Sequence, residues 1–291
     1  MEIESKVILI TGVSTGIGFE TALLLAKEGH KVYATMRDLS RSNKLLDEAK
    51  RRKVVLEVLR LDVQNEASIS ECVAQIIDRE KTIDVLINNA GAGFIRTMEQ
   101  ATMEEIHQVM DVNFYGVIRC TKAVLPFMRR QQSGHIINIS SVGGIVGQPV
   151  NEIYCAAKFA LEGLTESIAS YMKPYFGINI SLIEPGGVIT EFGNSLTKYF
   201  EETGGLKDDD YKPLIQTYMD YRATFTDEVK ERAFQKPVQI AEVILKCMND
   251  TEPKLRYLTS EGAVTFTKLK SGLDPDGEGI KAQVRKGILN K

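Results

Sequence analysis

Short runs of consecutive apolar residues alternate along the chain with longer stretches in which apolar positions recur every three or four residues. The runs cover residues 7–10, 31–35, 54–61, 85–87, 135–139 and 179–183. Their length and β-branched content predict buried strands. Helical periodicity follows them, for example over 18–28, 67–79, 106–128 and 154–171. Parallel strands need crossovers and bury both faces, so this alternation predicts an α/β fold: one doubly wound parallel sheet with helices on either side. In such a sheet ligands sit beyond the carboxyl ends of the strands. The stretches to inspect are therefore "TGVSTGIG", "MRDLS", "NNAG" and "SSVGG", each just after a run.

The rhythm breaks after Thr190. Residues 191–236 hold eight of the chain's 21 aromatic residues, among them Phe192, Tyr199, Phe200 and Phe225. Enrichment of this kind predicts a helical insertion that closes over an apolar substrate, with packing of the insertion onto the core as the other use of the same rings. A helix beginning at "KPVQIAEVIL", a strand and a tail follow over 237–291. The expected organisation is a single domain over 1–291, with a nucleotide-binding part over about 1–150 and a catalytic part over about 135–190.

Composition narrows the function classes. The 36 basic and 39 acidic side chains leave a net charge of −3, and the longest basic block, Lys50-Arg51-Arg52-Lys53, is expected to be a solvated loop. Nucleic acid is not an expected partner. Cys72, Cys120, Cys155 and Cys247 show no CxxC spacing, and His30, His107 and His135 are scattered, so no metal is expected. "MEIESKVILITG" has too few apolar residues for a signal or an integral membrane segment, which predicts a cytoplasmic protein.

A strand running into Gly12, Gly16 and Gly18 and then into a helix is the setting of a phosphate-binding turn. Glycines let the backbone approach a pyrophosphate, and the helix start offers free N–H groups and partial positive charge. Further on, Tyr154 and Lys158 stand four residues apart on one helix face. A nearby ammonium favours phenolate, so the expectation is a tyrosine with its pKa drawn down toward neutrality, able to move a proton.

Thr11 with Gly12, Gly16 and Gly18, "NNAG" at 88–91, Asn113, Ser141, Tyr154 with Lys158, and "PGGVIT" at 185–190 together resemble the short-chain dehydrogenase/reductase family, in its steroid and retinol dehydrogenase-like branch. The likeness spans about residues 5–190. It implies an oxidoreductase that interconverts a carbonyl and an alcohol by hydride transfer, with Tyr154 as acid and base, Ser141 donating to the substrate oxygen, Lys158 beside the tyrosine, and Asn113 anchoring a water for proton relay. It also implies cofactor contacts from Gly12, Ser14, Thr15, Gly16, Ile17, Gly18, Asp62, Val63, Asn89, Ala90, Gly91, Tyr154, Lys158, Pro185, Gly186, Val188 and Thr190. Met36 stands where NAD-using relatives carry a carboxylate, and Arg37 follows it. A guanidinium suits a 2′-phosphate, so NADP(H) is the expected cofactor, although Asp38 could turn inward.

Ser141, Gly144, Phe94 and Phe192 are the expected substrate contacts, with Val142, Ile145 and Val146 nearby. The helices over 106–128 and 154–171 are those that relatives pack across a two-fold axis, so a homodimer or homotetramer is expected. An NADP-binding redox sensor without turnover, an NAD-preferring alcohol dehydrogenase and a sugar-nucleotide epimerase remain as alternatives.

Overall fold

Alternate residues of the first strand part company: Val7 and Leu9 enter one apolar layer, Ile8 and Ile10 the other. The computed structural model describes residues 5–224, 226–229, 234–272, 274, 276–279 and 282. Its strands are β1 (Val7–Thr11), β2 (Lys31–Met36), β3 (Glu57–Arg60), β4 (Val85–Asn88), β5 (Gly134–Ile139), β6 (Ile178–Glu184) and β7 (Arg256–Leu258). They form one parallel sheet in the order β3-β2-β1-β4-β5-β6-β7. The direction of winding reverses between β1 and β4, and a crevice opens there at the carboxyl ends of the strands.

The helices are α1 (Gly16–Lys27), α2 (Asn43–Arg52), α3 (Glu66–Glu80), α4 (Met103–Met110), α5 (Gly116–Gln131), α6 (Glu152–Phe176), α7 (Glu191–Glu202), α8 (Lys212–Ala223), α9 (Pro237–Asn249) and α10 (Glu261–Ser271). One layer packs α1, α2 and α9 on the sheet through Leu23, Leu25, Leu45, Ile240 and Ile244. The other packs α3, α5 and α6 through Val73, Ile76, Val117, Val124 and Leu161. Val117 and Val124 thus cover this chain's own sheet. Side chains cap the starts of α3, α4 and α10. Asn65 accepts from Ser68 N–H at 2.9 Å, and Thr102 and Glu105 form a reciprocal capping box.

The structure departs from the sequence pattern in three places. The apolar run over 54–61 pairs only at Glu57–Arg60, because β3 is an edge strand with a single partner. Lys50, Arg51 and Arg52 form the last turn of α2, where cations suit the negative helix end, rather than a loop. The long helix expected over 106–128 begins at Met103 and is interrupted by a π-helical turn over Asp111–Tyr115. That turn contains Asn113, and such bulges concentrate at functional sites. In the insertion, α7 and α8 are helical as expected, while Phe225 and most of the tail lie outside the described residues.

Candidate active site

The glycine turn is built by close approach. A Cβ on Gly12, which has φ +71°, would lie 2.7 Å from Ala90 Cα, and one on Gly18 would lie 2.7 Å from Gly12 O. Asn89 stitches the turn to the end of β4: its Nδ2 donates to Thr11 O and Gly12 O at 2.8 Å each. Thr11 Oγ1 accepts from the N–H groups of Asn89 and Ala90 at 3.0 Å. Thr15 precedes α1 in an extended conformation without spending its hydroxyl on a cap, and Thr190 Cγ2 would lie 3.4 Å from a Cβ on Gly16. Two strand ends, one helix start and the 185–190 loop therefore meet around a backbone cradle that side chains would fill. These residues fit a nicotinamide dinucleotide, which needs close backbone approach and free N–H groups.

The remaining predicted cofactor contacts gather at the same edge. Asp62 accepts from Gln64 N–H at 3.1 Å, and its own N–H donates to Ser68 Oγ, which ties it to the start of α3. Val188 bridges to Gln235, and Pro185 O accepts from Val142 N–H at 3.0 Å. Met36 is buried in the core, so the end of β2 presents the exposed Arg37. Asp38, which could have competed with it, caps the short turn Leu39–Arg41 by accepting from Ser40 N–H at 3.0 Å.

At the end of β5, Ser141 starts a tight turn over Val142–Gly144 and accepts from Gly143 N–H at 3.0 Å. Ser140 is buried on the opposite side, as strand alternation requires. A Cβ on Gly143 would lie 3.4 Å from both Ser141 Oγ and Tyr154 Cε1, so the two side chains meet at this glycine, and the hydroxyl favours the ionised form of the phenol, which lies in the first turn of α6. One turn on, Lys158 Nζ donates to Ile139 O at 2.9 Å and lies 5.8 Å from the centre of the Tyr154 ring. Serine, tyrosine and lysine are thus brought together beside the glycine turn.

The electrostatics correct one expectation. Burial pushes the Tyr154 phenol up to about 12, opposed by the nearby Ser141 hydroxyl, while burial pulls Lys158 down to about 8, opposed by Glu162. The lysine does not draw the tyrosine toward neutrality in the protein alone. Its ammonium is turned to the Ile139 carbonyl, and low-dielectric surroundings disfavour both charged forms.

Asn113 is fully buried, with both amide hydrogens committed to Ala92 O at 2.8 Å and Val109 O at 3.0 Å. Its side chain fastens the loop after β4. Phe94 is buried with Val109, Ile153 and the Tyr154 ring, behind the phenol. Gly144 faces α6: a Cβ there would lie 2.8 Å from Ser140 Oγ and 3.1 Å from Lys158 O, so any substrate contact from it is through backbone. The side chain of Phe192 lies outside the described residues. Cys155 is buried, which raises its thiol pKa, and His135 is held neutral at about 3 by burial, within 3.0 Å of Ser181 Oγ.

Two buried polar groups escaped the sequence reading. Asn88 Nδ2 donates to Asn138 Oδ1 at 2.8 Å and to Thr121 Oγ1 at 3.3 Å, and Asn138 in turn donates to Thr165 Oγ1 at 3.0 Å, linking β4 and β5 to the helices that carry the site. Glu162, Glu166 and Glu184 surround Arg256 at 3.1, 2.6 and 3.3 Å. The matching positions of the two asparagines at adjacent strand ends and the placing of Glu162 one turn beyond Lys158 were the available signals.

A glycine cradle at a sheet switch point beside a serine–tyrosine–lysine cluster defines a class: dinucleotide-dependent oxidoreductases that pair hydride transfer with proton transfer. The short chain dehydrogenase family model matches residues 6–199, and the chain belongs to that family. It is 37% identical to estradiol 17-beta-dehydrogenase 1 of Rattus norvegicus, over 94% of this chain and 79% of the relative. It is 37% identical to retinol dehydrogenase 8 of Bos taurus, over 94% and 86%. It is 39% identical to 3-ketodihydrosphingosine reductase of Bacteroides thetaiotaomicron, over 94% of both chains. Among solved structures, a short chain dehydrogenase/reductase from Burkholderia phymatum in complex with NAD has the same fold, with TM-score 0.78, 23% identity, and coverage of 97% of this chain and 96% of that one. Among the described residues, no helix is long and apolar enough to cross a membrane.

Proposed function

We propose that this oxidoreductase is an NADP(H)-dependent enzyme interconverting a carbonyl and an alcohol on an apolar substrate of the steroid, retinoid or long-chain keto type. The observation that carries the reading is the meeting of Ser141 and Tyr154 at the end of β5, each 3.4 Å from a Cβ on Gly143, with Lys158 one helical turn away and the glycine cradle alongside. When bound, the nicotinamide supplies or takes up the hydride at the substrate carbon. The chain's own residues handle the oxygen. Tyr154 holds on its Oη the proton that the carbonyl oxygen takes during reduction, and its high pKa keeps that proton in place until negative charge develops. Ser141 is placed to donate to the same oxygen, and Lys158, hydrogen-bonded to Ile139 O, keeps a cation under the ring.

Preference for the phosphorylated cofactor rests on exposed Arg37 together with Asp38, which is occupied in its own turn. The substrate class rests on the named relatives and on the aromatic segment over 191–236. Self-association through α5 and α6 is part of the reading, since Tyr115 and Phe159 stand exposed beside them; the hydrodynamic size of the purified chain tests it.

The test is hydride transfer followed at the reduced-nicotinamide absorbance, with ketosteroids, retinal and long-chain ketones under NADPH and NADH in parallel. Turnover that prefers NADPH and disappears in Tyr154→Phe is the expected result, with Arg37→Glu reversing the preference. NADH preference in the unaltered protein refutes the cofactor assignment, and undiminished turnover in Tyr154→Phe refutes the mechanism.

A further inference from the structure

Arg96 lies in the loop after β4, two residues beyond Phe94, with its side chain only 1% exposed. A buried guanidinium is costly unless its donors find acceptors, and here they find a specific set. Nη1 donates to Gly205 O at 3.0 Å, and Nη2 donates to Thr203 O at 2.6 Å and Thr203 Oγ1 at 2.7 Å. The guanidinium carbon lies 5.0 Å from the centre of the Phe200 ring, and Glu105 Oε1 is 3.9 Å from Nε. All of these except Glu105 belong to the last turn of α7 or the residues just after it, where the helix end is negative and a cation is favoured.

The main chain of the same residue reaches the opposite way. Arg96 N–H donates to Val150 O at 3.2 Å. Val150 is fully buried at φ +65°, a conformation that a β-branched residue adopts only when its surroundings impose it. The next residue, Asn151, precedes α6, which carries Tyr154 in its first turn. Val150 also packs with Ile95, Phe200 and Ile215, so one small apolar cluster joins the loop after β4, the base of the catalytic helix, α7 and α8. Tyr218 Oη accepts from Asn151 Nδ2 at 2.9 Å across this seam.

We propose that Arg96 is a positioning residue that locks the aromatic insertion to the base of the catalytic helix and thereby fixes the wall against which a bulky apolar carbonyl substrate is selected over a small one. This rests on the carbonyl-reductase reading given above. The lock is a planar fork meeting two carbonyls and a hydroxyl, which a lysine cannot reproduce.

The test compares the full-length protein with Arg96→Leu, Arg96→Lys and Thr203→Val. Amide hydrogen exchange is read region by region, and steady-state kinetics use a ketosteroid and a small aromatic aldehyde. The expected result is exchange over residues 191–223 accelerated by about tenfold in the two Arg96 variants, with strands β4 to β6 unchanged. KM for the ketosteroid should rise by about tenfold while kcat for the aldehyde stays within about twofold. Thr203→Val should show the same pattern at smaller size. If Arg96→Leu does not fold, Arg96→Lys and Thr203→Val, which keep the charge, carry the test. Equal acceleration across the sheet, unchanged exchange in α7, or KM rising alike for both substrates overturns the proposal. Exchange needs no turnover, so a chain inactive on every carbonyl would defeat the reaction proposed above while the lock was still judged.

Discussion

Replacing Lys158 with methionine keeps the length of the stem and removes the ammonium. Burial moves its pKa from the ordinary 10.5 to about 8, with Glu162 as the opposing attraction. At about 1.4 kcal/mol for each pH unit, holding this cation inside the folded protein costs about 3 kcal/mol wherever both folded and unfolded chains carry the proton. That condition holds below pH 8. Between about pH 8 and 10.5 the unfolded chain binds more protons than the folded one, so the cost fades as pH rises, and above 10.5 it is gone. The substitution also strips Ile139 O of its 2.9 Å donor, a loss of about 1 kcal/mol that does not titrate.

Lys158→Met should therefore be more stable than the parent by about 2 kcal/mol at pH 7. The advantage should close between pH 8 and 10.5 and end as a small deficit. Urea denaturation of both proteins at half-unit pH steps measures the difference directly, and contributions from groups common to both cancel. Turnover should be lost in the variant at every pH. A variant less stable than the parent at pH 7, or a difference that does not change between pH 7 and 10, would refute the reasoning. In that case the ammonium is already compensated, and the cluster behind it must be worth more than its geometry suggests.

Gly18→Ala should fold but bind nucleotide at least tenfold more weakly by fluorescence titration, because its Cβ would press on Gly12 O and on the Asn89 amide that holds the turn. Glu184 is fully buried and its pKa is raised well above the ordinary value, by burial first and then by Glu162. Glu184→Gln should thus be more stable than the parent at pH 7, with the gap narrowing as pH falls toward 4.5, where the unfolded carboxyl also takes up its proton; a gap widening toward acid would contradict this. Asn88→Leu leaves the Asn138 carbonyl oxygen and the Thr121 hydroxyl without their buried donor and should cost about 2 kcal/mol in chemical denaturation, with full secondary structure retained.

What the sequence made legible was whatever depends on neighbours a few residues apart. Strand and helix periods, the glycine turn, and the Tyr154–Lys158 pair are all local, and the topology follows because parallel strands leave few ways to wind. What stayed hidden depends on groups far apart in sequence meeting in space. Arg256 reaches Glu162 across 94 residues, and Arg96 reaches Gly205 across 109. No spacing rule joins the two partners in either pair. The direction of the Tyr154 shift was missed for a related reason: charge proximity can be guessed from an i,i+4 pair, but burial, which here outweighs it, comes from Phe94 and Ile153 packing on the ring.

The same logic explains why the side chains of the candidate site sit where they do. Carbonyls at the carboxyl ends of parallel strands need donors from outside the sheet, and here side chains supply them: Asn89 for Thr11 and Gly12, Lys158 for Ile139. The groups that finish the sheet are thereby held at its edge, in the crevice at the switch point. Two consequences compete. Anchoring on strand ends gives the site the rigidity of β1, β4 and β5, so Tyr154 and Lys158 keep their separation. It also forces a cation and a phenol into surroundings that disfavour their charged forms, which makes the cluster destabilising in isolation. The Asn88–Asn138 link across β4 and β5 and the ion pairs of Arg256 with Glu162 and Glu184 lie behind these strand ends, where pairing offsets part of the cost of burial. They anchor the strand ends and α6, the elements that carry the lysine and tyrosine, against that local cost.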